Sequence, residues 1–382
     1  MIEELTALKI LALLHDPPFK SMLFSLESSE KAASLVSHIK TKNFLIDKIS
    51  ESLELHERLA LKILELLIEN IEADREHGAL GLLKENINKY WGIVKRCDQL
   101  SSSIDRLVLN AFFGNRLVNR IIYKHPIDLS EHDLTPIARK IVSDRVKFGR
   151  AVRLFAEKLA EKVKSAEIEY SYIALWRYLI PCFIEAVRDA YGDLLSEDEL
   201  MKLPLMPADT RSPTSTIFDH IYATSSLLSA FDGSSIDHIG LIYWEVEGKH
   251  EFIQRARTPR DFWAGSYILS ITTFYVLMKI AEELGPDSVL KPILLGIPQV
   301  DAYLRAVIEH KKEVKDAFPI YLPVIPAAGL IIVPAKKIYE YSEKIITWYR
   351  EAWSIIAKEA CLLYTSDAAD ELDGVDLGGR RI

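Results

Sequence analysis

The run ALKILALLHDPPFK, residues 7–20, decides how the first half of this chain folds. Leu8, Leu11, Leu14 and their neighbours recur at helical spacing, and Pro17-Pro18 forbid the helix from continuing. His15 and Asp16 therefore stand where a helix must end. Neighbours on a helix point about 100° apart. An imidazole and a carboxylate adjacent in sequence can thus reach one cation only where the backbone is leaving helical geometry, which the prolines enforce. Histidine nitrogen with carboxylate oxygen suits Zn, Mn, Fe or Ni better than Ca or Mg. Taken alone, such a pair reads more simply as a surface pair or a helix-end hydrogen bond, so the rest of the chain has to decide.

Outward from that run, residues 1–200 are a succession of helical patterns with almost no alternating stretches. Leu59, Ile63, Leu66, Leu67 and Ile71 keep helical spacing, as do Leu80, Leu83 and Ile87. Residues 150–164 read as an amphipathic helix and 172–190 as a more apolar one interrupted by Pro181. KLPLMPADTRSP, residues 202–213, carries Pro204, Pro207 and Pro213 and reads as a loop or linker. The period then changes. IGLIYWEV, residues 239–246, has the aromatic and β-branched content of a strand, 261–284 is a long helix ended by Gly285-Pro286, and 290–294 and 329–333 are further strands. A final helix covers 336–360. Strand, helix, strand, strand, helix is an α+β pattern lacking only a closing strand.

A chain of 382 residues exceeds the usual size of one core, and with 49% apolar and 27% charged residues it has the composition of a folded multidomain protein. Three scattered cysteines exclude a disulfide framework or a four-cysteine zinc site within the chain and point to a reducing, cytoplasmic compartment. The start MIEEL has no basic n-region of a signal peptide. The most apolar stretch, 264–278, is shorter than the roughly 20 residues that span a bilayer, so no membrane is expected. From Cys361 the text CLLYTSDAADELDGVDLGGRRI loses the helical pattern and resembles a translated sequencing-library adapter. An irregular, non-native tail over 361–382 is the expectation, with the natural reading frame continuing beyond it. Without its two arginines and five acidic residues the net charge goes from −8 to −5, which argues against a free-standing nucleic-acid binder driven by bulk charge.

Other residues offer chemistry. In CDQLSSSIDR, residues 97–106, Asp98, Ser102 and Asp105 fall on one helix face, either completing a site begun by His15 and Asp16 or forming a solvated polar stripe. His77 is the best further imidazole, with His56 behind it. About six helical turns, roughly 30 Å, separate His77 from Asp98 if the helix runs straight. A shared ion would require the chain to turn back between them, near Asn86, Asn88 and Gly92. In the second half, Arg257 and Arg260 precede a helix whose early residues include Gly265 and Ser266, a combination that suits phosphates and close approach of a ligand. The plain alternative is that Arg260 and Asp261 pair structurally, Trp263 packs the core and Gly265 lets helix and sheet approach.

In this order the pieces resemble a family. The His-Asp dipeptide, a later His and the Asp98 helix are similar to the circularly permuted HD nuclease domain of type III CRISPR large subunits. PADTRSPTSTIFDH and HEFIQRARTPRDFWAGSYILS resemble the type III-B (Cmr) version, and the resemblance covers residues 1–360. It implies a multidomain α and α+β chain. Residues 1–200 would be an all-helical HD domain, 201–238 an inter-domain loop and helix, and 239–360 a truncated ferredoxin-like palm. It implies a metal site of His15, Asp16, His77 and Asp98 holding a divalent transition metal such as Mn or Ni. His15, Asp16 and Lys20 would be catalytic in cleavage of single-stranded DNA. Asp209, Thr210, Arg211, Asp219 and His220 fall, by resemblance, in the inter-domain loop rather than in a second metal site.

The resemblance further implies ATP with Mg in the full-length protein, Arg257, Arg260, Gly265 and Ser266 contributing to its binding. No paired-Gly, paired-Asp hairpin is present, so the cyclase centre belongs to missing sequence. The implied partners are other Cmr subunits, a CRISPR guide RNA and its target RNA. A scaffold with a degenerate HD site, or an HD nucleotide phosphohydrolase, are the alternatives.

Overall fold

A computed structural model describes residues 2–26, 28–72, 78–103, 120–167, 170–210, 212–308 and 322–373. His77 and Asp105 lie outside them. The first part is helical: α1 (Ile2–Leu14), α2 (Leu55–Glu72), α3 (Ala79–Ser101), α4 (Arg145–Ser165), α5 (Ser171–Tyr191) and α6 (Ile217–Leu227). Two short antiparallel hairpins interrupt it, β1 (Ile122–Lys124) with β2 (Glu131–Asp133), and β3 (Pro207–Asp209) with β4 (Ser212–Thr216).

α1 is the central post. Every residue from Ala7 to Phe19 is buried, Lys9 included, so this helix is apolar on nearly all sides because it is surrounded on nearly all sides. It stops where the prolines require. Phe19 then anchors the exit, its ring fully buried and edge-on to Phe148, Phe155 and Phe183 at 5.1–5.9 Å between centroids. That plug between α4 and α5 fixes the bend that carries His15 and Asp16. α3 runs from Ala79 to Ser101 as two helical stretches joined at a kink, where Asn86 leaves helical angles (φ −108°, ψ 16°).

The second part is a three-stranded antiparallel sheet of β5 (Ile239–Glu245), β6 (Val289–Lys291) and β7 (Ala328–Pro334) in the order β5-β7-β6. β5 and β7 pair from Ile239 with Pro334 to Glu245 with Ala328. The strand expected at 290–294 is displaced and short, because Pro292 has no N–H to give to a ladder. Helices α7 (Pro259–Leu284) and α8 (Ile338–Asp373) pack on each other and on one sheet face. Gly240 lets Ile338 approach, and Trp244 donates its indole N–H to Tyr349 at 3.0 Å. Leu241 and Tyr243, on the other face of β5, stay exposed.

Two expectations need correction. α7 has 26 residues, long and apolar enough by length and composition to cross a membrane, so length alone did not mark it as a core helix. Its packing does: Val276, Leu277, Ile280 and Ala281 are fully buried against the chain. The tail, expected to be irregular from Cys361, continues α8 to Asp373. Residues 361–373 contain neither Gly nor Pro, and extending a helix already nucleated costs little per residue.

The two parts meet on α1. Lys9 donates to Asp287, just past α7, and to Ser229, just past α6, each at 2.8 Å.

Candidate metal centre

Three helices deliver four donor groups to one point. α1 ends at Leu14 and the bend beyond it presents His15 and Asp16; the last turn of α3 presents Asp98; the first turn of α6 presents His220. One donor atom from each lies within 4.8 Å of all the others. His220 Nε2 is 3.0 Å from Asp98 Oδ1 and 3.3 Å from Asp16 Oδ2, and His15 Nε2 is 3.9 Å and 4.0 Å from the same two oxygens. Adjacent donors that share a first-row ion at about 2.0–2.1 Å stand roughly 3–3.5 Å apart, so small adjustments would close this set on an ion.

The local chemistry fits a metal. His15 Nδ1 donates to the Ala12 carbonyl at 2.6 Å, which fixes the tautomer and leaves Nε2 with its lone pair facing the carboxylates. That Nε2 is buried and has no hydrogen-bond partner. An orphaned acceptor beside a buried and a half-buried carboxylate is an arrangement that a cation would satisfy. Two nitrogens and two carboxylate oxygens are a borderline donor set of the kind that Zn, Mn, Fe or Ni takes.

Electrostatics hold the carboxylates ionised. Burial pushes Asp16 up, but Lys20 beside it, then His220, His15 and His56, bring it well below the usual carboxylate range. Burial pushes Asp98 up as well, and the neighbouring His15 and His220 outweigh this and lower it. For His220, burial lowers the imidazole, yet its bonds to both carboxylates push it up to about 9. His56 sits on the rim, Nε2 3.4 Å from Asp16 Oδ1, and burial followed by Lys20 lowers it.

The expected residues divide sharply. His15, Asp16 and Asp98 converge. Lys20 lies beside them, but its ammonium is engaged by Asp16 rather than projecting towards solvent. Ser102 caps α3 against the Asp98 carbonyl, and it is Ser101 that approaches His220, at 3.5 Å from Nδ1. His220, read as part of the inter-domain loop and helix, brings a fourth possible donor to the same point. The signal was present: Thr216 and Asp219 form a capping box, Thr216 Oγ1 accepting from the Asp219 N–H at 3.1 Å and the Asp219 carboxylate accepting from the Thr216 N–H at 3.0 Å. That box starts a helix at Ile217 and turns His220 inward with Thr224, away from Asp219. Sequence distance from residue 98 concealed the meeting.

The residues proposed for nucleotide do not converge. Arg257 and Arg260 are exposed. Asp261 caps α7 by accepting from the Thr258 and Arg257 N–H groups, rather than pairing with Arg260. Ser266 bonds the Phe262 carbonyl within the helix. Gly265 faces Phe252 and Ile253 of a neighbouring helical turn rather than the sheet, and Trp263 is exposed, stacked on Tyr267 at 5.3 Å.

Known proteins match this chain along nearly all of its length. The family model described as CRISPR-associated protein Cmr2, N-terminal, matches residues 241–358. A CRISPR system CMR subunit Cmr2 of Saccharolobus solfataricus is 25% identical over 387 residues, covering 92% of this chain and 33% of that protein. A Cmr2 subunit of Pyrococcus furiosus is 25% identical over 377 residues, covering 91% of this chain and 38% of that protein. The chain thus spans about a third of the length of these curated relatives. In a solved type III-B Cmr-beta complex bound to cognate target RNA, one chain shares the fold with a TM-score of 0.58 at 21% identity, over 92% of this chain and 32% of that one.

Proposed function

We propose that the chain is the N-terminal portion of a type III-B Cmr2-like large subunit, a reading supported by the family-model match over residues 241–358 and the 25% identity to two Cmr2 subunits, and that its helical part is an HD-type, metal-dependent phosphodiesterase acting on single-stranded DNA. The observation that carries this is the convergence of His15, Asp16, Asp98 and His220 around the unpartnered His15 Nε2. These four side chains would hold one divalent transition metal. When bound, such an ion polarises a phosphodiester and brings the pKa of water towards neutrality. The chain's own residues set the rest. Lys20 keeps Asp16 ionised, Ala12 keeps His15 in the metal-binding tautomer, and His56, at the rim, is placed to meet a leaving or entering group. The sheet part is proposed as an incomplete ferredoxin-like palm, non-catalytic, contributing Arg257, Arg260, Gly265 and Ser266 to ATP and Mg binding once its missing partner is present. Other Cmr subunits, guide RNA and target RNA are the proposed partners.

A second reading has one observation in its favour. His220 hydrogen bonds both carboxylates, so a protonated His220 can neutralise the cluster without any ion and leave a purely structural scaffold. The test is cleavage of a labelled single-stranded DNA with Mn or Ni present. Loss of cleavage in both His15→Ala and His220→Ala supports the ion site; cleavage undiminished in either, or absent from the unaltered protein, supports the scaffold.

A further inference from the structure

Lys9 is the largest fully buried charged side chain in the described structure, 1% exposed, and the proposed chemistry does not use it. It sits on α1 six residues before His15, about 9 Å along the axis. Its ammonium donates to Ser229, immediately beyond the helix that carries His220, and to Asp287, immediately beyond α7. A Tyr172 ring lies 5.3 Å from it, and the Tyr172 hydroxyl bonds Ser225 on α6 at 2.9 Å. Further along α6, Thr224 meets Ser101 of α3 at 2.9 Å, beside His220. Polar contacts therefore tie α1 to the residues just past α6, and α6 to α3 beside His220, and these three helices supply all four donors.

Taking an ammonium and a carboxylate out of water costs several kcal/mol per ion, and apolar residues of similar volume often serve stability as well or better. What two fixed acceptors at 2.8 Å add is geometry. They set both the rotation and the axial register of α1 against α6, where an apolar contact tolerates sliding. The end of α7 is shaped for this. Gly285 has φ +93°, and a Cβ there would stand 2.7 Å from Asp287 Oδ1, 2.8 Å from Tyr172 and 3.0 Å from Lys9 Nζ.

We infer that Lys9 is a positioning residue for the ion site, pinning the helix of His15 and Asp16 to the helix of His220, with Asp287 tying that register to the end of α7. The inference rests on the reading of the cluster as an ion site. Metal centres need donors held within about 0.5 Å, and residues that orient ligands are typically worth 10–100-fold in affinity.

The experiment uses the full chain with Lys9→Met/Asp287→Leu, which removes both charges together, and Asp287→Asn should the double variant fail to fold. Three quantities are measured: the melting temperature, Mn affinity by calorimetry, and the ring signals of histidines labelled with nitrogen-15 in the ion-free protein. A positioning role predicts a double variant that melts within a few degrees of the unaltered protein, binds Mn about 10-fold or more weakly, and shows displaced His15 and His220 ring signals while that of the exposed His250 stays in place. Unmoved His15 and His220 signals with unchanged affinity overturn it and leave the pair a structural tie. If the unaltered protein binds no Mn, the ion reading fails, and the ring signals still decide whether Lys9 positions the two histidines.

Discussion

The clusters at the two ends of this molecule differ in how they are assembled. The cluster proposed to hold an ion draws four donor groups from three helices spread over more than two hundred residues, buries three of them, half-buries Asp98 and leaves one acceptor unpartnered. The Arg257–Ser266 group comes from one short segment and lies at or near the surface, its two guanidiniums in no ion pair among the described residues. In the first, the fold has already met the cost of bringing the charges together. In the second, the guanidiniums are exposed and Trp263 stacks on Tyr267 in the same segment.

The largest expected effect separates the two ends directly. His220→Ala should lower Mn affinity by about 100-fold or more, since it removes one of four ligands and leaves the two carboxylates facing each other. Arg260→Ala should leave that affinity unchanged. Calorimetric titration of both variants measures the contrast, and equal losses would show that the two ends are not independent.

Next in size is stability. Asp16→Ala removes a carboxylate partner of Lys20 and His56 and one of the two carboxylates that His220 meets, leaving Lys20 largely buried without it. A cost of about 3–5 kcal/mol is expected without added metal, read as a lowered denaturant midpoint. An unchanged midpoint would mean that water reaches this cluster as freely as it reaches Arg257.

Legibility in the sequence followed the same division. His15 and Asp16 could be read because Pro17 and Pro18 dictate local backbone, and Asp98 because helical periodicity placed it on a definite face. The sheet was legible in β5 and β7, whose apolar and aromatic residues leave little choice, and failed at β6, where Pro292 cut the strand short. His220 could not be placed, because which helix end meets which depends on Phe19 seating among Phe148, Phe155 and Phe183, a contact no local pattern contains. The Lys9 tie was illegible for a related reason: a lone lysine in an apolar helix shows its partner only once residues 229 and 287 arrive beside it.

The pH response carries a smaller, signed effect. An unfolded histidine titrates near 6.5 and His220 in the ion-free fold at about 9. This raised value means that the ion-free protein binds the extra proton more tightly when folded. The resulting stabilisation is fully present below pH 6.5 and is lost as pH rises through 9. Asp16 and Asp98, both lowered, act in the other sense, stabilising above the unfolded carboxylate range near 4 and losing that contribution under acid. Ion-free protein should therefore be most stable between about pH 4 and 6.5 as far as this cluster is concerned. Metal requires neutral imidazole, so Mn affinity should climb between pH 6.5 and 9 with release of a proton. Melting curves across that range, with and without Mn, test both slopes; a flat ion-free profile would count against the protonated bridge between the two carboxylates.

The smallest effect belongs to the other end. Arg257→Ser with Arg260→Ser changes two exposed side chains that make no ion pair among the described residues, while the capping of α7 by Thr258 and Asp261 uses backbone N–H groups and survives. Stability should move by less than about 0.5 kcal/mol, and DNA cleavage should not move at all. In a longer chain that includes the rest of the subunit, the same pair of changes should weaken ATP binding, because guanidiniums of this kind gain their strength only when a second surface excludes water from around a phosphate. ATP affinity measured in both lengths decides the matter. A loss seen already in residues 1–382 would mean that this end, too, forms its site without a partner.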